Sequence, residues 1–403
     1  MVNGWVERPI IEVLKPNGIK IGPFGSQLKK EMLLSDGVYR VYGQENVYAR
    51  DFNIGDRYLT REHFNRLNSC EILPGDFVMS TMGTIGKCAI VPTTIQRGIM
   101  DSHLIRLRFD EKKVRSDYIL QLFSDQFHYL SDQTSRLAVG GIMDGLSVGI
   151  VSRLNVIYPE SIEEQGKIIK TLSEVDKLIS DQQKLIRKKK DIRQGAMQML
   201  VTGKKRLPGY YADFEHFTIG ELGSLAKMSI NPCQKPKTIF DEYSMPAFDD
   251  GAKPQQMLGE LMLSSRIKLT PNTLLFNKLN VRQRRVWLVK DCSNNSVCSS
   301  EFLPYKSEKI DLSFLKQLLL TDKVTKDFED MSSGTSNSQQ RITPSDFLKY
   351  EISIPSLEEQ RKIALILFDM DTEIQRLEEK LSKYQKVKQG MMEELLTGKV
   401  RLM

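Results

Sequence analysis

At 403 residues the chain has room for two or three domains with proper cores, and 40% apolar with 27% charged residues suit a soluble globular protein. No apolar run is long enough to span a membrane and no charged-then-apolar leader opens the sequence, so a cytoplasmic protein without membrane contact is expected. The net charge of +7 permits a nucleic-acid partner without requiring one, and five cysteines without C-x-x-C spacing argue for a reducing compartment and against a zinc site.

Residues 1–158 read as a mixed α/β domain. Gly22-Pro23-Phe24-Gly25-Ser26 is turn material, followed by a short helical candidate, Gln27 to Leu34. Asp36-Gly37 turns into the β-rich Val38-Tyr39-Arg40-Val41-Tyr42. A second turn, Leu73-Pro74-Gly75-Asp76, leads into the apolar Phe77-Val78-Met79 and a glycine-bearing loop, Thr81 to Lys87. Cys88 to Val91 and Leu104 to Phe109 read as strands, the latter alternating leucine or isoleucine with arginine. Ser116-Asp117 caps a helix carrying Tyr118, Ile119, Leu122, Phe123 and Phe127, and a polar loop with Gly140-Gly141 spans Ser135 to Gly145.

Residues 159–207 read as one long helix. Ser161-Ile162-Glu163-Glu164, just after a proline, fits the S-x-x-E capping box. Ile168, Leu172, Val175, Ile179, Ile186 and Leu200 make an apolar seam, with Gln182, Lys189 and Arg193 as polar interruptions. Gly203 stands where a C-terminal cap would go. From Glu163 to Val201 such a helix runs roughly 58 Å at 1.5 Å per residue.

Residues 208–354 repeat the first plan with little identity. Thr270 to Thr273 before Leu274-Leu275-Phe276 echoes Leu73 to Asp76 before Phe77-Val78-Met79. Asp311 to Leu320 echoes the helix at Ser116, and the loop Ser332 to Gln340 falls where Gly140-Gly141 fell. Residues 355–403 repeat the long helix outright at a constant shift of 195: Gln165 with Gln360, Asp176 with Asp371, Gly203 with Gly398. Its seam is Ile363, Leu367, Met370, Ile374, Leu377, Leu381, Tyr384, Met391 and Leu395, with Lys388 as the polar miss. A repeat of half the chain is a tandem duplication and not a solenoid. The expected fold class is α+β: two mixed α/β domains alternating with two long helices that pair as an antiparallel coiled coil, pseudo-twofold. Separate docking of each stripe on its own domain stays open as the alternative.

Catalytic constellations are missing from the pattern. Gly83 to Lys87 lacks the G-x-x-x-x-G-K-[ST] spacing, and Cys88 stands where the hydroxyl residue belongs. His63, His103, His128 and His216 lie far apart, without H-E-x-x-H or G-x-S-x-G. Asn231-Pro232-Cys233 begins like an amino-methyltransferase motif and lacks its second proline. Basic residues, by contrast, cluster three times: Lys184 to Arg193, Lys204 to Arg206, and Arg282, Arg284 and Arg285. Three such groups favour nucleic acid over a merely solvated surface.

Several of these features together resemble the specificity subunit of a type I restriction–modification system. They are Gly22 to Leu28, Leu73 to Asp76 with the Gly83 to Lys87 loop, and the two P…EEQ…I…L…D helices, each ending in L-x-TGK-x-RL. The resemblance implies two target-recognition domains, each reading half of a split sequence in double-stranded DNA, with the paired helices as spacer. It implies two methyltransferase (M) subunits that hold S-adenosylmethionine, and restriction (R) subunits that use ATP and magnesium. No cofactor is then expected in this chain, and no catalysis of its own. A 58 Å spacer would separate half-sites by one to two turns of DNA, at roughly 34–36 Å per turn.

Arginine offers two hydrogen bonds to guanine, and asparagine or glutamine two to adenine. On that basis the candidates in the first domain are Gln44, Asn46, Thr84, Lys87, Gln133 and Arg136. In the second they are Asn277, Lys278, Arg282, Gln283, Arg284, Arg285, Asn337, Gln339, Gln340 and Arg341. The glycine loop, Arg282 to Arg285 and Ser336 to Arg341 are favoured as groups. Two other readings compete. A fused methyltransferase or nuclease fragment would need the motifs that are missing, and a coiled-coil scaffold binding protein partners would show no salt-dependent DNA affinity.

Overall fold

The computed structural model of the chain describes residues 4–137, 145–334 and 339–402. Gly140, Gly141, Ser336 and Asn337, singled out above, lie outside the described residues. Two compact units emerge, residues 1–183 with 379–403, and residues 184–378. The division falls inside the long helices, because each half-helix buries its stripe with the domain beside it.

In the first unit a four-stranded sheet runs in the order Leu14–Ile21, Leu104–Phe109, Phe77–Ser80, Cys88–Ile90. A second sheet has the order Tyr58–Leu59, Tyr39–Tyr42, Gly98–Met100, Glu71–Ile72, its middle pair parallel. The arginine alternation in Leu104–Phe109 does not leave a solvated face. Arg106 is buried and donates to the Glu71 carbonyl at 2.6 Å, because the second sheet covers that side. A ribbon of Trp5–Pro9 with Asn155–Pro159 leads into the long helix. Gln27 to Leu34 is mostly turn, with only a short 3-10 helix at Lys30–Met32. Ser116 is the first helical residue and not the cap; its hydroxyl donates to Glu111.

The second unit follows the same plan. Its four-stranded sheet runs Ser224–Leu225, Phe302–Lys306, Thr273–Asn277, Val286–Val289. Its five-stranded sheet runs Ser229–Ile230, Arg266–Lys268, Ser296–Cys298, Ile239–Tyr243, Gln255–Leu258, again with one parallel pair. The ribbon of Glu215–Thr218 with Glu351–Ile354 matches that of the first unit. Asp311 caps the helix Leu312–Leu319, as its position suggests.

The long helices are Ile162–Val201 and Leu357–Leu395. They pack on each other antiparallel: Asp176 meets Lys388 in the first unit, while Lys189 meets Glu373 and Arg193 meets Asp371 in the second. At the 195 shift Lys388–Asp176 and Arg193–Asp371 are one contact made twice. The polar interruptions are therefore part of the seam; Gln182 and Lys388 are buried in it. Met392, and not Met391, is the buried methionine near the end of the second helix.

The repeated EEQ and TGK-x-RL motifs are the joints of this frame. Ser161 and Ser356 cap the helices by accepting from the Glu164 and Glu359 N–H groups, which is half of the expected capping box. The other half is not made. Glu164 turns instead to Arg401, which donates twice at 2.7 Å, and Glu359 receives Arg206 at 3.1 and 2.7 Å. Planar guanidinium and carboxylate fit each other in two parallel bonds, so the pair fixes angle as well as distance. Gln165 accepts from Arg115 N–H at 2.8 Å and donates to the Pro159 carbonyl at 2.8 Å; Gln360 does the same with Asp311 and Pro355 at 2.9 and 2.8 Å. Gly203 and Gly398 adopt φ of 73° and 75°, a region that favours glycine. A Cβ on Gly398 would lie 2.8 Å from the Trp5 ring, and one on Gly203 3.0 Å from Phe214.

Candidate nucleic-acid interface

The loop Thr81 to Lys87 joins Phe77–Ser80 to Cys88–Ile90 in the first unit. Gly83 and Gly86 take φ of 64° and 80°, which lets the chain reverse tightly. The loop is stitched from both sides. The Ser80 hydroxyl donates to the Thr84 carbonyl at 2.7 Å and accepts from Lys87 N–H at 3.0 Å. Tyr48, on the helix Gln44–Ala49, accepts from Thr84 N–H at 3.0 Å and lies 3.0 Å from Gln44 Oε1. Met82, Thr84 and Ile85 remain exposed at the tip. Such a tip offers a hydroxyl and apolar side chains, the chemistry that meets a thymine methyl in a groove. Lys87 is paired with Asp125.

The loop of residues 278–285 holds the equivalent place in the second unit, between Thr273–Asn277 and Val286–Val289. Its anchoring is ionic. Arg285 donates to Asp249 at 2.8 and 2.7 Å, from the short helix Met245–Asp249 that corresponds to Gln44–Ala49. That arginine holds the Asp249 carboxyl below the usual aspartate value. Arg284 reaches Asp322 at 2.6 Å, Arg282 lies 3.2 Å from Glu329, and Arg341 lies 3.2 Å from Glu301. Asn280 and Arg284, both at φ 51°, flank the turn Val281–Gln283. Arg284–Asp322 and Arg282–Glu329 are exposed pairs, worth roughly 0–1 kcal/mol, so exchanging those carboxylates for phosphates costs little, whereas the Arg285 side chain is only 15% exposed.

Two asparagines leave the candidate set. Asn46 is 1% exposed; it accepts from Gly43 N–H at 2.9 Å and donates to the Asp51 and Ile54 carbonyls at 3.1 and 2.9 Å. Asn277 is 3% exposed, and its Oδ1 accepts from Leu279 N–H at 2.9 Å. Both side chains shape backbone turns inside the protein, out of reach of a base edge. Gln133 likewise ties its helix to the Asn155 backbone, at 3.0 and 2.7 Å. Gln44 is on a helix and not in a loop, as is the exposed Arg136, whose Nε donates to the Asp132 carbonyl at 3.2 Å. Lys278 and Gln340 are half-buried and Gln339 is exposed; the Gln340 carbonyl accepts from Asn280 N–H at 2.8 Å.

One group escaped the sequence reading. Asn231, Gln234, Lys235, Lys268, Asn294 and Asn295 line a concavity of about 460 Å3 on the five-stranded sheet, with no carboxylate in its lining. These residues are spread over 65 positions of sequence, and the run Asn294-Asn295 was the one local signal. Among the described residues no group of histidine, cysteine and carboxylate side chains is placed to hold a metal. The cysteines are unpaired, and burial pushes the Cys298 thiol up to about 12. No helix among the described residues is long and apolar enough to cross a membrane.

Comparison with known proteins agrees with this architecture. The family described as "Type I restriction modification DNA specificity domain" matches residues 19–189 and 285–388, more than half of the chain. The type I restriction enzyme MjaVIII specificity subunit of Methanocaldococcus jannaschii is 25% identical over 342 residues, covering 76% of this chain and 75% of that one. Among solved structures, the S subunit from M. genitalium superposes with a TM-score of 0.54 at 14% identity, over 97% of this chain and 96% of that one. The HsdS subunit from Thermoanaerobacter tengcongensis gives 0.51 at 15% identity, over 99% and 98%. A chain from a study of complex assembly and conformational transition of the type I R-M system gives 0.61 at 13% identity, over 99% of both chains. The fold is theirs, and with the family match over both halves the chain belongs to the type I restriction–modification DNA specificity family.

Proposed function

We propose that each α/β domain reads one half of a bipartite DNA target, and that the paired helices set the gap and dock methyltransferase subunits. The observation that carries this reading is the pairing of loops 81–87 and 278–285. They hold equivalent places in two units of one plan, yet one is built from glycine, threonine and apolar residues and the other from arginines. Base edges differ between half-sites while phosphates do not, so two readers on one frame should differ in their loops. Arg282, Arg284 and Arg285, with the amide-lined concavity, are the contacts assigned to the second half-site. Thr84 and the exposed loop tip are assigned to the first. The methyltransferase subunits would bring S-adenosylmethionine, and the restriction subunits ATP and magnesium.

Co-expression with the methyltransferase subunit, followed by mapping of methylated adenines in host DNA, tests this. A split motif with a fixed gap is expected. Substituting Arg282, Arg284 and Arg285 by alanine should relax one half of that motif and leave the other intact. A well-folded complex without methylation above background would overturn the reading in favour of a protein-binding scaffold.

A further inference from the structure

The second long helix carries a feature that the first lacks. Leu365 and Phe368 are 58% and 57% exposed, although Ile363, Leu367 and Ile374 beside them are buried in the seam. Their spacing puts them on a second stripe, off the seam. They form one wall of a cavity of about 470 Å3, shared with Leu288, Lys290, Lys316 and Arg361. Lys290 Nζ sits 5.5 Å from the centre of the Phe368 ring.

The charges around this cavity do not cancel. Asp371 in its lining is taken by Arg193, which donates to it at 2.8 and 2.9 Å. Asp311, also in the lining, accepts from Phe314 N–H at 2.8 Å as a helix cap. The side chains of Lys290, Lys316 and Arg361 make no ion pair or hydrogen bond among the described residues. Burial pushes the Lys316 ammonium below the usual lysine value, against the pull of Asp371. A desolvated cation beside an apolar wall is relieved when an anion arrives.

The duplication shows that the fold does not require this patch. At the 195 shift Leu365, Phe368 and Arg361 correspond to Lys170, Ser173 and Gly166, and Lys170 and Ser173 are exposed polar residues. The seam is kept between the copies and the second stripe is not.

We propose that the cavity is a docking surface for one protein segment of a partner subunit, bound once per chain, that carries a carboxylate beside an apolar side chain. The apolar group packs on Leu365 and Phe368, and the carboxylate meets Lys316, Lys290 and Arg361. DNA phosphate would satisfy the cations and leave the apolar wall uncovered, which favours protein as the occupant. The proposal rests on the reading of the chain as a subunit of a larger complex.

The test uses the complex assembled with its methyltransferase and restriction subunits. The photo-crosslinker p-benzoylphenylalanine replaces Phe368 in one preparation and Ser173 in another. A crosslink from position 368 alone, to a partner segment with Asp or Glu within a helical turn of an apolar residue, is the expected result. A crosslink to DNA, no crosslink, or the same segment from both positions overturns it. The double substitution Leu365→Lys with Phe368→Ser gives the second helix the residues of the first. It should weaken binding of the crosslinked subunit at least about tenfold with the melting temperature unchanged; undiminished affinity overturns the proposal. The methylated motif in host DNA reports separately on the specificity-subunit reading, so a split motif alongside a failed crosslink removes the docking surface alone.

Discussion

The joints and the loops are both duplicated in this molecule, and they have fared differently. Glu164–Arg401 and Glu359–Arg206 are the same two-bonded pair, at the same step of the same motif. The loops at 81–87 and 278–285 share a place in the sheet and little else. One hangs on the Tyr48 hydroxyl, the other on Arg285 and Asp249. A joint has one geometric task, which a planar ion pair meets in one way. A loop tip can be rebuilt whenever its base is held, and two unrelated chemistries hold these bases.

That contrast can be broken most strongly in the shared frame. Leu172→Ala and Leu367→Ala empty equivalent sites, both at 0% exposure. Each should cost roughly 3 kcal/mol by denaturant titration, and a difference above about 1 kcal/mol would mean that the two units are not energetically alike. Next come Gly398→Ala and Gly203→Ala. Forcing alanine into the left-handed region costs about 1–2 kcal/mol. Gly398→Ala should lower the melting temperature more, because its Cβ meets Trp5 at closer range. Equal losses would mean that the ring contacts are slack.

A smaller effect is expected at Glu164, whose arginine partner lies towards solvent. The hydrogen bonds from Arg401 hold its carboxyl below the usual glutamate value. A depressed folded value makes this contribution complete above the ordinary glutamate range, and it is lost as pH falls through the folded value. Glu164→Gln should therefore melt lower than the parent near neutral pH, and the two curves should converge in acid. A gap that persists in acid would assign the joint to shape and not charge. Smallest in stability, at about 1 kcal/mol or less, is Tyr48→Phe. Methylome mapping should find it blurring the first half-site only, as Arg285→Ala should blur only the second; an effect on both halves would end the division of labour.

Much of the frame was legible in sequence because a long helix is written locally. Seam spacing, the serine caps and the glycine stops all act within a few residues. The fate of Glu164 was not legible: the S-x-x-E pattern is present, but Arg401 competes for the carboxylate from 237 positions away. Asn46 and Asn277 are held by near neighbours instead, Asn46 by Gly43, Asp51 and Ile54, and the Asn277 Oδ1 by Leu279 N–H. An asparagine near a strand end looks free until the turn around it is in place and buries it. The concavity with Asn231 and Asn294 was invisible because its residues come from separate strands and turns of one sheet. The arginines of 278–285 stand together in sequence, while the carboxylates that hold them come from other elements and could not be read beside them.

The first unit is assembled from two separate stretches of chain, and this bears on its birth. Residues 184–378 are contiguous and can close as soon as they leave the ribosome. Residues 1–183 must wait for Met392, Leu395 and Leu396 to complete their core. At roughly 5–20 residues per second, the stretch between holds that core open for about 10–40 s. Throughout that wait the nascent chain already displays Met197, Leu200 and Val201, the counterparts of the missing three at the 195 shift. Two chains growing on one message can trade these decoys, so the yield of the native fold should fall as ribosomes crowd together.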